Sequence, residues 1–247
     1  MSALVALTRT QFKVFLREPL AVFFGLAFPT VLLVVIGVAY PGATDPEPTF
    51  GGRSLVEAYA PTTVVLGLAT MAVFLPPVAL GGDRERGILR RLSTTPAHPG
   101  TLVTAHLAVQ LVIVTLATTS AVLVGMLAFP LPFPDSPGWF IASFVLGACS
   151  LLAIGLLVGS TAPTANTGQG IGMLLYFPLL FFAGVYIPLD VMPDGIRTVS
   201  GYTPAGAAVQ ALSDSWVGTT PRLSDLLVMA VYATVGGALA VRLFRWT

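Results

Sequence analysis

Residues 59–81, YAPTTVVLGLATMAVFLPPVALG, contain no Asp, Glu, Lys or Arg. A helix needs about 20 apolar residues to cross the roughly 30 Å hydrocarbon layer of a membrane, and this run is long enough. Backbone amides in lipid must be hydrogen-bonded within the same segment, so the run is predicted to be a helix rather than a strand. Its three prolines are expected to kink the helix, which membrane bundles tolerate.

Five further segments share this lack of charge: 20–40, 102–129, 138–160, 168–188 and 226–241. The 247 residues are 55% hydrophobic and only 9% charged, with a mean hydropathy of +0.87. A soluble domain carries about 25% charged residues, so water cannot be the main solvent of this chain. We therefore predict an all-α membrane protein with six transmembrane helices and a single domain over residues 1–247.

The first and the last of these segments differ in length. The first apolar run, 20–40, is longer than the apolar part of a signal peptide and is expected to be retained. The last run is the shortest, and its helix is expected to extend back to Leu223 or forward to Phe244.

The distribution of Lys and Arg predicts the orientation. If both termini, the 82–101 loop and the 161–167 loop share one side, that side holds nine of the twelve cations. The other side holds Arg53, Arg197 and Arg222, together with eight of the eleven acids. We therefore expect both termini to be cytoplasmic, as an even number of spans requires. The excess of arginine over lysine and the abundance of Ala, Gly and Pro are typical of a GC-rich bacterial genome. We expect the location to be the bacterial inner (plasma) membrane.

Residues 1–18 are predicted to form an amphipathic helix in the headgroup plane. Arg9, Lys13 and Arg17 recur every four residues and form one basic stripe. The apolar side of the helical wheel holds Leu4, Val5, Phe12, Phe15 and Leu16. Such a helix lays its apolar face on the bilayer and turns its cations toward anionic lipid or a partner. An ordinary basic flank of the first span is the alternative.

The parts of a catalytic site are missing from the sequence. Its only histidines are His98 and His106 and its only cysteine is Cys149, so neither a metal-binding nor a disulfide pattern is present. The motifs GxSxG, HExxH and GxxxxGK[ST] do not occur, which disfavours a lipid-modifying enzyme and nucleotide binding by this chain. We expect no enzymatic activity, no cofactor, no metal and no nucleic-acid partner for this chain.

The cores of the predicted spans contain no ionisable Asp, Glu, Lys or Arg. An ion-driven carrier needs such groups, or broken-helix ion sites, near the middle of the membrane, so this class is disfavoured. Any uphill transport would then draw its energy from outside the membrane.

The cytoplasmic loop 82–101, GDRERGILRRLSTTPAHPGT, is the candidate point of entry for that energy. Asp83 is expected to cap a short helix that carries an apolar stripe beside two arginines. The stripe consists of Ile88, Leu89 and Leu92, and the arginines are Arg90 and Arg91. A helix of this kind suits insertion into a groove on another protein. A loop whose arginines only set the topology is the alternative.

Two motifs make the chain resemble the type 2 ABC transporter permeases. Residues 83–89, DRERGIL, with Leu92 and the pair Thr95-Pro96, are similar to that family's E-R-E-x-G-T-L…L…T-P segment. Residues 182–189, FAGVYIPL, followed by Met192-Pro193, Ile196-Arg197 and Pro204, are similar to its S-G-x-x-x-P-L-x-x-M-P-x-x-L-R…P signature after the fifth span. Asp83 replaces the usual glutamate, and Ala183 stands where serine is common. The likeness is greatest to the small drug-resistance permeases that pair with a separate ATPase.

The resemblance implies the permease subunit of an ATP-driven exporter. Two permeases, identical or homologous, would form the pore, and two ATPase subunits carrying ATP and Mg would dock beneath them. A role in coupling to the ATPase is implied for Asp83, Arg84, Glu85, Arg86, Gly87 and Leu89. An extracytoplasmic gate is implied at Gly184, Pro188, Met192, Pro193 and Arg197.

Residues 189–222 would, by the same resemblance, form short re-entrant helices that fold back toward the bilayer and close the exit. Pro188 is expected to end the fifth span. Leu189, Met192, Ile196 and Val199 recur at helical spacing, which favours a segment lying flat on the outer interface. The stretch 207–217, AAVQALSDSWV, is expected to add a short helix with Trp216 at the headgroups. An ordinary amphipathic outer loop is the alternative.

In this family the second and fifth spans line most of the pore. The candidate substrate contacts on them are Thr63, Thr70, Phe74, Tyr176 and Phe177. An apolar, aromatic lining with hydroxyls suits an amphipathic or hydrophobic compound, such as a drug, a lipid or a glycolipid. The same residues would also serve helix packing. A nucleotide-independent pore or scaffold, and more remotely a lipid-modifying membrane enzyme, are the alternatives to the exporter.

Overall fold

The computed structural model of the protein describes residues 12–13, 15–17, 19–92 and 99–244. Every regular element within these ranges is helical, which confirms the all-α class. The α-helices are α1 Pro19–Val22, α2 Phe28–Ala39, α3 Leu55–Glu85, α4 Ile88–Leu92, α5 Pro99–Ala128, α6 Pro137–Thr161, α7 Ala165–Phe182, α8 Asp194–Gly201, α9 Pro204–Trp216 and α10 Leu223–Arg242. A π-helical turn, Phe23–Ala27, joins α1 to α2, and 3₁₀ turns lie at Pro48–Phe50 and Leu189–Val191.

Four of the described helices are long and apolar enough to cross a membrane, namely α3, α5 from Leu107 onward, α6 and α10. The first and fifth predicted spans are also helical, over Pro19–Ala39 and Ala165–Phe182, and α10 begins at Leu223 as expected. The wide π turn precedes Pro29, which has no N–H to donate to the carbonyl of Gly25. The multi-pass helical class thus agrees with the sequence, while the six-span arrangement stays a prediction.

Helix α3 is the central element of the bundle. It packs against α2, α5, α6, α7 and α9, and most of its apolar span is buried. Its N-terminus is set by a capping box, in which the Glu57 N–H donates to Ser54 Oγ (3.2 Å) and the Ser54 N–H donates to Glu57 Oε2 (3.0 Å). The sequence SLVE at 54–57 carries this signal, so α3 starts four residues before the predicted span.

Prolines 76 and 77 do not interrupt α3, and the neighbouring helices approach it closely at this point. A proline cannot donate to the carbonyl four residues earlier, so Ala72 O and Val73 O lose their helical partners. The backbone of Gly155 in α6 faces Ala72 O, and that of Gly172 in α7 faces Val73 O. Only a residue without a Cβ allows so close an approach, which brings Cα–H groups to the two freed carbonyls.

Candidate functional site

The predicted coupling segment begins inside α3. Gly82 to Glu85 form its last turn, so the prediction that Asp83 caps a separate short helix is wrong. The helix ends at Arg86, because Gly87 adopts a φ of +67° that other residues rarely take. Helix α4 then starts at Ile88. The 82–101 loop is therefore a helix end, a glycine turn and a short helix, and its residues 93–98 lie outside the described part.

Arg84 links α3 to the end of α6. Its guanidinium donates to the carbonyls of Ser160 (2.9 Å), Gly159 (3.4 Å) and Ala162, the last being the C-cap of α6. These carbonyls have no N–H partners of their own at a helix C-terminus, and a cation is also favoured there by the helix dipole. Arg84 thus attaches the coupling segment to α6 within the same chain.

Helix α4 is held in place by Leu89. This side chain is fully buried in a cluster with Leu80, Leu156 and Ala240. The exposed residues around it are Glu85, Arg86, Ile88, Arg90 and Arg91. Leu89 therefore positions the short helix and is not accessible to a partner. The charged residues form the accessible surface. We call this surface, Glu85 to Arg91 without Leu89, the charged turn.

The predicted gate segment starts earlier than expected. Helix α7 ends at Phe182 and not at Pro188, because Gly184 has a φ of +78° and turns the chain. Ser200 Oγ in α8 donates to Phe182 O (2.6 Å) and so closes the α7 terminus. Met192 is buried, while Arg197 is exposed. The remaining gate residues, Pro188 and Pro193, precede the 3₁₀ turn and α8, respectively.

The segment 189–222 is more deeply packed than a helix lying flat on a surface. Leu189 and Met192 are buried, but Ile196 and Val199 are exposed on α8. Helix α9 is almost entirely buried and packs against α6, α10 and α3. Within α9 the prediction for Trp216 is wrong, because this side chain is 4% exposed. Its Nε1 donates to Pro132 O (3.0 Å), and its ring packs edge-on against Phe140.

A cavity of about 380 Å³ lies at the end of α3 opposite the charged turn. Its charged lining consists of Arg53, Asp190, Arg197, Asp214 and Arg222, and we call it the arginine cavity. Arg53 is fixed there by donating to Phe50 O (3.0 Å), Ser213 Oγ (3.1 Å) and Asp190 Oδ2 (3.2 Å).

The ionisation of Asp214 in the arginine cavity is affected by its burial and by the three arginines. Burial raises the pKa of Asp214, and the nearby Arg222, Arg53 and Arg197 act in the opposite direction. Sequence reasoning did not identify this cluster, because its five members come from five different helices, turns and helix ends. The scarcity of cations on the predicted outer side was the one available signal.

The predicted substrate path is brought together in part. Thr70 Oγ1 and Tyr176 Oη lie 2.8 Å apart across the α3–α7 contact, and the Tyr176 ring packs edge-on against Phe74. Phe177 adjoins Tyr176 but is half exposed. Thr63 lies two turns away, where its hydroxyl donates to Ala60 O (2.8 Å) and its side chain is buried.

Several predicted residues fall outside the described part of the chain, namely Leu4, Val5, Arg9, Thr95, Pro96, His98 and Arg245. Of the predicted N-terminal helix the structure describes residues 12–13 and 15–17. Phe15 is buried in the main core, whereas Lys13, Leu16 and Arg17 are exposed. The apolar face predicted for residues 1–18 is thus turned inward at Phe15 but not at Leu16.

Sequence comparison with known proteins finds a matching family and several relatives. The sequence profile of the ABC-2 type transporter family matches residues 2–216. The daunorubicin resistance ABC transporter permease protein DrrB1 of Streptomyces coeruleorubidus is 27% identical over 233 residues, covering 89% of this chain and 76% of the relative. The putative transport permease YvfS of Bacillus subtilis is 23% identical over 181 residues, covering 73% of this chain and 74% of the relative.

A third relative is longer than this chain. The probable multidrug ABC transporter permease YbhR of Escherichia coli is 22% identical over 145 residues, which is 58% of this chain. Only 39% of YbhR is spanned by the match.

Proposed function

From the premise that this chain belongs to the ABC-2 type transporter family, we propose that it is the transmembrane subunit of an ATP-driven exporter. It is a multi-pass membrane permease, and the family implies partnership with an ABC ATPase. The proposal adds that ATP and Mg are bound by two copies of a separate ATPase subunit. It further adds a second permease, identical or homologous, and six spans in a bacterial inner membrane with both termini in the cytoplasm.

The observation that carries this proposal is the attachment of the charged turn to the bundle. Glu85, Arg86 and Ile88 are exposed on the charged turn, while Leu89 and Arg84 bind the same segment to α6. A displacement imposed on the charged turn would therefore move the ends of α3 and α6 together. This mechanical link is what an external ATPase requires of a chain whose predicted spans, 226–241 among them, contain no Asp, Glu, Lys or Arg in their cores.

The proposed cargo is an amphipathic or hydrophobic compound. The hydroxyls of Thr70 and Tyr176 bond to each other beside the Phe74 ring, so this part of the α3–α7 contact offers an aromatic surface with a small polar centre. The relatives DrrB1 and YbhR carry names that refer to daunorubicin resistance and multidrug transport, which supports the same cargo class.

The proposal is tested with the permease and its ATPase co-purified and reconstituted in liposomes. Glu85→Gln should leave expression and basal ATP hydrolysis unchanged but lower ATP-dependent dye or daunorubicin transport by at least about fivefold, since coupling energies are typically 1–3 kcal/mol. Glu47→Gln is the matched control, because Glu47 is exposed near the arginine cavity, far from the charged turn. Equal transport by wild type and Glu85→Gln would refute the coupling role. Flux through this chain alone without nucleotide would instead favour a passive pore.

A further inference from the structure

The three arginines of the arginine cavity are brought together by the fold and not by the sequence. Arg53 precedes α3, Arg197 lies in α8, and Arg222 is the N-cap of α10. They are also the only three of the twelve Lys and Arg residues that the charge pattern assigns to the cation-poor side of the chain. The positive-inside rule gives no reason for cations on that side. It also does not explain why all three of them line one cavity.

Two of the three arginines retain unused hydrogen-bond donors. Arg53 is engaged by Phe50, Ser213 and Asp190, whereas no hydrogen bond from the Arg197 or Arg222 guanidinium to another described residue occurs. The lining holds three guanidinium groups against two carboxylates, those of Asp190 and Asp214. The lining therefore has one more positive than negative group, and it includes guanidinium donors that no described residue accepts from.

Another carboxylate lies behind the cavity wall. Asp225, in the first turn of α10, is 2% exposed and attracts Arg222 but does not line the cavity. Arg222 thus has carboxylates on the protein side, while Arg197 is exposed and has none hydrogen-bonded to it. Arg197 is the donor best placed to meet a ligand from outside.

The other walls of the cavity combine apolar and neutral polar side chains. The apolar ones are Phe50, Leu189, Val209 and Val217, and the neutral polar ones are Tyr59, Thr62, Gln210 and Ser213. A volume of about 380 Å³ is within the range of small-molecule sites and far exceeds that of a single inorganic ion. An occupant that matches both kinds of wall carries an anionic group and an apolar part.

We propose that the arginine cavity binds the phosphate group of an amphipathic organic phosphate, with Arg197 and Arg222 as its donors. A phosphate offers several acceptor oxygens that two guanidinium groups can share, whereas one bidentate arginine already satisfies a carboxylate. The phosphate belongs either to a membrane phospholipid headgroup or to a soluble organic phosphate. This site does not depend on ATP-driven export, so the two proposals fail independently.

The test measures lipid binding to the full-length chain in a neutral detergent by native mass spectrometry. Dioleoyl phosphatidylglycerol is the probe, and dioleoylglycerol, with the same acyl chains but no phosphate, is the reference. Arg197→Gln should weaken phosphatidylglycerol binding by about tenfold, as expected for a charge-assisted hydrogen bond. Arg242→Gln, which removes an exposed arginine at the other end of α10, should leave it unchanged.

A second variant guards against loss of folding. Arg222→Lys keeps the charge beside Asp214 and Asp225 but removes the planar fork, so it should also weaken binding while the thermal midpoint stays near wild type. Competition by glycerol 3-phosphate at equal concentration would assign the site to soluble phosphates, and its failure to compete would assign it to lipid headgroups. Equal binding of phosphatidylglycerol by wild type and Arg197→Gln, or equal binding of dioleoylglycerol, would overturn the proposal.

Discussion

Gly172→Ala should destabilise the bundle, because it inserts a methyl group between α7 and α3. A Cβ at position 172 would lie 2.7 Å from Val73 O and 3.5 Å from Val73 Cγ1. Carbon and carbonyl oxygen normally approach to about 3.3–3.6 Å, so the two helices must separate locally by about 0.6–0.9 Å. The carbonyl that they share is one of the two freed by the prolines of α3.

The magnitude follows from two opposing terms. Overpacking of this kind costs about 1–3 kcal/mol. Replacing a helical glycine by alanine returns about 0.5–1 kcal/mol through backbone entropy and propensity. Gly170→Ala isolates the second term, because Gly170 lies in the same helix and a Cβ there meets no atom within 4 Å. The two variants should therefore differ by about 1–3 kcal/mol, Gly170→Ala being the more stable.

Thermal unfolding of the full chain in one detergent measures this difference. For a chain of this size, 1 kcal/mol corresponds to about 2–4 °C, so the midpoints should differ by about 2–12 °C. Gly170→Ala should lie at or slightly above wild type and Gly172→Ala below it. If Gly172→Ala unfolds at or above the midpoint of Gly170→Ala, the close α3–α7 approach does not exist and the role assigned to the glycines is wrong.

Three further predictions concern the end of the bundle near the arginine cavity. Trp216→Phe should lower the free energy of unfolding by about 1 kcal/mol, through loss of the Nε1–H bond. In a chain that keeps Trp216 as its only tryptophan, brominated lipids should fail to quench the Trp216 fluorescence. Strong quenching would instead place Trp216 at the headgroups. Arg53→Gln should cost about 1–2 kcal/mol in thermal or denaturant unfolding, and Asp190→Asn less than about 1 kcal/mol, because the ion pair is only part of the Arg53 contacts. Equal losses would contradict that division. Because burial raises the Asp214 pKa, the folded state binds its proton more tightly, so this group's contribution to stability falls as pH rises from about 3.8 through the raised value. Asp214→Asn should flatten the dependence of the free energy of unfolding on pH in this range. An unchanged slope would argue against a raised Asp214 pKa.

The helical class and the position of the apolar segments could be predicted, because the signal is spread over many residues. Each of the six predicted segments lies mainly on helix, although 168–188 runs past the end of α7 at Phe182, and the serine at position 54 with the glutamate at 57 marks where α3 begins. Charge depletion is a property of a whole segment, so an error at one position does not change it. The start of α10 at Leu223 followed from the same length requirement.

The errors arose where a single residue decides the outcome. Gly87 and Gly184 end their helices by adopting positive φ, whereas the sequence reasoning relied on Asp83 as a cap and on Pro188 as a terminator. A glycine in a sequence does not reveal whether it will take that conformation. Trp216 is equally suited to a headgroup layer and to a core that offers a carbonyl, so its burial depended on the fold.

Helix α3 connects the charged turn to the arginine cavity. Its 31 residues span about 46 Å at 1.5 Å per residue, so its N-terminus lies beside Arg53 and its last turn carries Arg84. The two adjacent prolines would make it a natural hinge, but glycines of α6 and α7 are packed against the two carbonyls that the prolines leave without a helical partner. Bending there would separate both neighbours, and Arg84 already binds the end of α6. A displacement of the charged turn is therefore expected to move α3 together with α6, which also packs on the buried helix α9 of the cavity wall.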